Sequence, residues 1–306
     1  MSFSIATRRS PLALWQAEHV KAELKARDPE LEVELLEIVT KGDKILDQAL
    51  SKVGGKDLFV KEIEHALLDG RAQAAVHSLK DVPTVLPDGL AIAAYPPRAD
   101  PRDALVSPAG HTVDSLPEGA RVGTCSLRRA AQLLRRRPDL RIEEIRGNVQ
   151  TRLARMKEQG MDATMLAYAG LSRLGMADLA SEVLSPDVCL PAIGQGILAV
   201  EGRVDDAESF ARLHALDDPG SRAAALAERA FLHRLEGGCQ VPIAGHATLE
   251  GDHLTLRGLV AALDGSRVVE DKVEGNVETA AELGVRLAET LLERGADQLL
   301  AALKQG

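Results

Sequence analysis

Two residues stand out as carriers of chemistry. Asp81 sits in the polar stretch His77-Ser78-Leu79-Lys80-Asp81-Val82-Pro83, directly after a short aliphatic run. A carboxylate at the end of a strand serves as a general acid or base, or steadies a developing cation. The same residue type before a proline also makes an ordinary turn. Cys239 follows Gly237-Gly238 and precedes Gln240-Val241-Pro242. Paired glycines let the backbone approach a ligand closely, and a thiol there can be a covalent attachment point. A lone cysteine is otherwise a small buried hydrophobe, which is how Cys125 and Cys189 are read.

A third feature concerns charge. From Arg128 to Arg155 there are nine arginines, no lysine and three acids, in a chain of net charge −9. Arginine is the residue that grips carboxylate or phosphate with two parallel hydrogen bonds, so this stretch points to an anion. Arg135, Arg136 and Arg137 are read instead as a solvated helix face. Lys52 and Lys56 flank Gly54-Gly55, with Asp43 upstream. That segment reads either as a flexible lid or as ordinary surface lysines.

These residues need elements to hold them. Short aliphatic runs at 3–7, 33–40, 74–77 and 90–94 read as strands, with helices over 11–26 and 58–68 between them. Pro11 opens the first helix. A Pro-rich, charged link covers 96–102, and the pattern then restarts. Strands are expected at 121–123, 141–145 and 164–167, helices at 126–136 and 148–159, and a loop over 186–203. The order β-α-β-α-β predicts two doubly wound, mainly parallel α/β domains. The Arg8, Lys80-Asp81 and Thr124 loops all follow strands, where ligands of such sheets bind, and a cleft between the two domains is expected. Beyond Asp218 a helix over 221–235, strands near 244–249, 253–263 and 267–273, and helices at 278–294 and 297–304 predict a small α+β domain.

Composition excludes several classes. Apolar residues make up 45% and charged residues 27%, the profile of a globular protein. Aromatics at 2% leave the core to Leu, Val, Ile and Ala. Three dispersed cysteines imply no disulfide framework, and no Cys/His cluster has metal-ligand spacing. No apolar run is long enough to cross a bilayer. The stretch after Arg8-Arg9 is too short for an export signal, so a cytoplasmic location is expected. The negative net charge and the lack of aromatics among the arginines argue against nucleic acid. The alternative to an enzyme is a binding module whose cleft holds an anion.

Several segments, in order and at matching spacing over about residues 3–245, resemble the hydroxymethylbilane synthase (porphobilinogen deaminase) family. They are Ile5-Ala6-Thr7-Arg8-Arg9-Ser10-Pro11-Leu12-Ala13, Val53-Gly54-Gly55-Lys56, His77 to Pro83 and Val122-Gly123-Thr124-Cys125-Ser126-Leu127-Arg128-Arg129. Arg146-Gly147-Asn148-Val149-Gln150-Thr151-Arg152, Leu190-Pro191-Ala192-Ile193-Gly194-Gln195-Gly196 and Leu235-Glu236-Gly237-Gly238-Cys239 complete the series.

The resemblance implies two periplasmic-binding-protein-like domains with a cleft between them, residues 1–97 with 197–216 and residues 98–196. A third domain, 217–306, would carry the cofactor cysteine. It implies head-to-tail condensation of four porphobilinogen molecules with loss of ammonia, on a dipyrromethane joined by thioether to Cys239. Asp81 would be the catalytic carboxylate. Arg8, Ser10, Gln16, Ser78, Lys80, Thr124, Ser126, Arg128, Arg129, Arg146, Arg152, Arg173 and Gln195 would bind the acetate and propionate arms of cofactor and substrate. Asp43, Lys52, Lys56 and Phe59 would belong to a mobile loop. A cytoplasmic monomer with no nucleic-acid or membrane partner is expected. Where the family usually has Ser this chain has Cys125, a weaker hydrogen-bond donor.

Overall fold

The computed structural model describes residues 3–40, 57–236 and 241–304. Along the chain run β1 (Phe3–Arg8), α1 (Pro11–Arg27), β2 (Val33–Ile38), α2 (Asp57–Leu68), β3 (Ala74–Ser78) and β4 (Leu90–Ala94). Then come β5 (Asp103–Val106), β6 (Arg121–Gly123), α3 (Leu127–Arg136), β7 (Arg141–Glu143), α4 (Val149–Glu158), β8 (Ala163–Ala167), α5 (Tyr168–Arg173) and β9 (Glu182–Val183). The remainder is β10 (Leu198–Arg203), α6 (Ala207–His214), α7 (Pro219–Arg234), β11 (Ile243–Glu250), β12 (His253–Ala261), β13 (Val268–Asn276), α8 (Ala280–Leu291) and α9 (Asp297–Lys304). The chain forms two compact units, residues 1–99 with 197–225 and residues 100–196 with 226–306.

The first unit holds a five-stranded sheet in the order β2-β1-β3-β10-β4. Strand β1 is parallel to β2 and β3, while β10 is antiparallel to both its neighbours. Helix α1 covers one face. Its start is set by Ser10, whose side chain accepts from Ala13 N, and by Pro11 in the first turn, where a missing N–H costs nothing. Gln16, Val20 and Leu24, each four residues apart, are buried together with Ala17. Ala17, Val20 and Leu24 pack with Ile5, Val76, Leu198 and Val200 on that face. Ala6, Ala75 and Leu90 face the other way, against Ile63, Ala66 and Leu67 of α2.

The second unit repeats this plan in the order β7-β6-β8-β5-β9, with β6 parallel to β7 and β8, and β5 antiparallel to β8 and β9. In each sheet the fourth strand is the antiparallel one. The fold is therefore α/β as expected, with mixed rather than wholly parallel sheets. Both antiparallel strands depart from the sequence reading, which placed a loop over 186–203 and no strand between the 96–102 link and 121. Each carries a buried acid, Asp103 at the start of β5 and Glu201 within β10. The same unit contains the antiparallel meander β11-β12-β13. Gly245 and Gly258 pair across β11 and β12, and the fully buried Phe231 ring fills the space they leave. A Cβ on Gly258 would come within 2.6 Å of Phe231 Cζ.

Candidate active site

In the first unit a small pocket, about 70 Å³, opens at the carboxyl ends of β1 and β3. Its polar lining is Arg8, Ser10, Gln16, His77, Ser78 and Asp81. Arg8 ends β1, and Ser10 is held as the cap of α1. Gln16, buried at the second turn of α1, donates from Nε2 to Ser78 Oγ at 2.8 Å. The chain leaves β3 through a single 3₁₀ turn, Leu79–Asp81. Leu79 N donates to Ile197 O at 3.0 Å, and Val82 N closes the turn on Leu79 O at 3.1 Å. With Leu79 and Val82 both buried, Asp81 is left exposed on a turn pinned from either side. Lys80 is half-buried beside it.

The second unit supplies two helix N-termini. At α3, Ser126 Oγ accepts from Arg129 N at 3.4 Å, and Thr124 Oγ1 accepts from Ser126 N at 3.1 Å. At α4, Asn148 Oδ1 accepts from Thr151 N at 2.8 Å. Gly147 just before it has φ +111°, and a Cβ there would lie 2.6 Å from Thr151 Cγ2, so the turn requires glycine. Arg146 pairs with Glu144, Arg152 Nε donates to Gly147 O at 2.7 Å, and Arg155 Nη1 donates to Arg146 O. Arg173 Nη2 donates to Gly196 O at 2.9 Å, and burial pushes its guanidinium down to about 10. A cation so poorly solvated favours the arrival of a negative ligand group.

Arg128 and Arg129 do not lie on an open surface. Each is 5% exposed, and both point at Asp103, which is fully buried. Arg128 Nη1 reaches Asp103 Oδ2 at 2.7 Å and Leu190 O at 2.7 Å. Arg129 donates to Asp103 Oδ1 from Nε (3.0 Å) and Nη2 (2.7 Å), and to Met165 O from Nη1. Gln195 Nε2 adds a contact to Asp103 Oδ1 at 3.0 Å. Burial alone would raise the Asp103 carboxyl, but the two guanidiniums overcome it and hold it well below the usual carboxylate range. Cys189, beside this cluster, is buried as expected, and burial raises its thiol to about 12. Cys125, expected to be buried, is exposed in the loop between β6 and α3. Arg135, Arg136 and Arg137 form ion pairs with Glu270, Asp114 and Asp139.

Asp43, Lys52, Lys56 and Cys239 lie outside the described residues, as does the side chain of Phe59. The carboxylates that the motif residues turn to, Asp103 and Glu201, were missed in the sequence. Nothing in the sequence marks either acid as buried, because each counter-charge lies far along the chain.

Residues 3–211 match the family model "Porphobilinogen deaminase, dipyromethane cofactor binding domain", and residues 223–293 match "Porphobilinogen deaminase, C-terminal domain". The porphobilinogen deaminase of Syntrophotalea carbinolica is 56% identical over 299 residues, 98% of this chain and 95% of that protein. That of Trichlorobacter lovleyi is 52% identical over 301 residues, 98% of this chain and 96% of that protein. The chain belongs to the porphobilinogen deaminase family. Among solved structures, the periplasmic VFT2 domain of BvgS from Bordetella pertussis aligns at TM-score 0.42 and 15% identity, covering 70% of this chain and 86% of that one.

As a porphobilinogen deaminase the chain is a transferase of porphyrin biosynthesis with a dipyrromethane-binding domain. Every described site residue above falls within the cofactor-domain match, and Cys239 within the C-terminal one. The donor set suits such a group: capped helix N-termini and arginines favour carboxylates. Among the described residues no group of His, Cys, Asp and Glu is placed to hold a metal. Among them, too, no helix is long and apolar enough to cross a membrane.

Proposed function

We propose that Asp81 is the catalytic carboxylate of this porphobilinogen deaminase and that the motif arginines bind the carboxylate arms of cofactor and substrate. One observation carries the reading. Asp81 stands exposed on a turn pinned by Leu79 and Val82, at a pocket shared with Arg8, Ser10, Gln16 and Ser78. A carboxylate so placed stabilises positive charge building on a pyrrole nitrogen and accepts the proton lost when two rings join. When bound through Cys239, the dipyrromethane supplies the pyrrole carbon from which the chain grows.

Binding falls to the cations. Arg146 and Arg152 flank the N-terminus of α4, and Thr124 and Ser126 present hydroxyls and backbone at α3. Arg128 uses Nη1 for its contacts among the described residues, and its guanidinium is assigned to a ligand carboxylate. Arg129 has Nε, Nη1 and Nη2 engaged and supports Arg128 through their shared Asp103. Gln195 braces the same carboxylate. Arg173, Lys80 and Ser78 complete the set, with Asp43, Lys52, Lys56 and Phe59 assigned to a mobile loop.

A division into domains at 1–97 with 197–216, 98–196 and 217–306 belongs to this reading; the three separate sheets support it. So does a cytoplasmic monomer without nucleic-acid or membrane partners, for which the free thiols of Cys125 and Cys189 speak.

Two measurements test it. Intact mass with peptide mapping should find an excess of two linked pyrrole units on the Cys239 peptide. Asp81→Asn should keep that excess and fold normally, yet lose about 10²–10⁴-fold in kcat. Near-normal turnover would remove Asp81 from the mechanism, and a bare mass after incubation with porphobilinogen would remove Cys239.

A further inference from the structure

His77 lines the Asp81 pocket on β3 but is only 6% exposed. Its Nε2 lies 3.0 Å from Oε2 of Glu201 on β10. Glu201 is 1% exposed, and its second oxygen, Oε1, is buried with no hydrogen-bond partner. β3 and β10 are paired antiparallel with Ala199 opposite His77, so the strand ladder itself fixes this contact.

A half-satisfied carboxylate at that depth is costly, and a cation beside it offsets the cost. The titratable side chain that bonds it among the described residues is His77. With Nε2–H donated to Glu201, the other ring nitrogen, Nδ1, is an acceptor. An imidazolium formed at His77 would face Glu201 directly, its charge matched by that carboxylate.

We propose that the Glu201–His77 pair is a proton store for Asp81, with His77 as a positioning residue that acts through the pocket. This rests on the reading of Asp81 as the proton acceptor. The pocket has room for bridging water. The proton that Asp81 takes when two rings join passes to His77 Nδ1, which restores the Asp81 carboxylate and leaves an imidazolium opposite Glu201. The same proton is then given to the aminomethyl nitrogen of the next porphobilinogen, whose carbon–nitrogen bond breaks to release ammonia. No other reactant is consumed.

The test uses the cofactor-loaded protein. His77→Gln still donates to Glu201 but cannot take a second proton, and Glu201→Gln removes the matching charge. Each should retain the pyrrole mass excess and an unchanged KM, while kcat falls about tenfold to a hundredfold, the low end of proton-transfer contributions. The double variant should be no slower than the slower single one. Nitrogen-15 spectra of labelled histidine in the unsubstituted protein provide a readout independent of turnover: His77 should carry its proton on Nε2 and have a bare Nδ1. A proton fixed on Nδ1, or wild-type kcat in both variants, overturns the proposal. Asp81→Asn measured alongside separates the two ideas. If it is slow while His77→Gln is normal, only the proton store fails; if it too is normal, the Asp81 reading falls.

Discussion

Asp103→Asn is the substitution whose consequence can be worked out most fully. The carboxylate is fully buried and receives Arg128 Nη1, Arg129 Nε and Nη2, and Gln195 Nε2, all between 2.7 and 3.0 Å. An amide keeps one acceptor oxygen but sets an NH₂ group against these donors and leaves two buried guanidiniums without a counter-charge. Breaking a buried pair from one side costs about 3–5 kcal/mol. That is a large part of the roughly 5–15 kcal/mol available to a domain. In urea, with m of roughly 2–3 kcal/mol/M, the midpoint should fall by about 1–2.5 M. Asp114→Asn, which loosens the exposed pair with Arg136, is the control and should leave the midpoint in place.

The acid limb adds a second check on Asp103. Its folded carboxyl titrates below the unfolded value of 3.8, so its stabilisation is present above about pH 4 and drains away as pH falls through and below that value. The Asn variant has none to lose, and the two stability curves should converge in acid. A midpoint shift no larger than that of Asp114→Asn, or curves that stay parallel to low pH, would refute the claim that Asp103 neutralises both arginines.

Other outcomes are as definite. A thiol-alkylating reagent on the native protein should label Cys125, which is exposed, and leave Cys189 untouched, because burial both shields that thiol and raises it to about 12; peptide mass mapping decides. Gly258→Ala should destabilise by about 1–3 kcal/mol, since the added methyl meets the Phe231 ring, and thermal unfolding reports it. Arg146→Leu should weaken binding of porphobilinogen, seen as a raised KM or incomplete cofactor loading, with little change in the unfolding temperature, because it pairs with the exposed Glu144.

Much of this was legible in the chain. Strands with a parallel neighbour, such as those expected at 74–77 and 164–167, read correctly because they are buried and their runs are aliphatic. Pro11 marked the start of α1, and the helices expected from 126 and 148 begin one residue later, at Leu127 and Val149, capped by Ser126 and Asn148. The two antiparallel strands did not read, for one shared reason. Asp103 and Glu201 look like loop residues in sequence, yet each is buried by a partner far along the chain, Arg128 with Arg129 for one and His77 for the other. A buried acid is recognised only when its counter-charge is known to be adjacent, and that adjacency comes from the sheet. For the same reason the sequence presented Arg128 and Arg129 as ligand-facing, when their first commitment is to Asp103.

The place of β10 also bears on the order in which the protein can be built. Strand β4 has a single ladder neighbour, and it is β10. A ribosome releases β4 about a hundred residues before it releases β10. Until Leu198–Arg203 emerges, the newborn first unit has β3 and β4 with a vacant slot between them and two open edges able to pair wrongly. The whole of residues 100–196 must pass before the slot is filled, so a chain truncated just short of Leu198 should hold a complete second sheet and an unfinished first one.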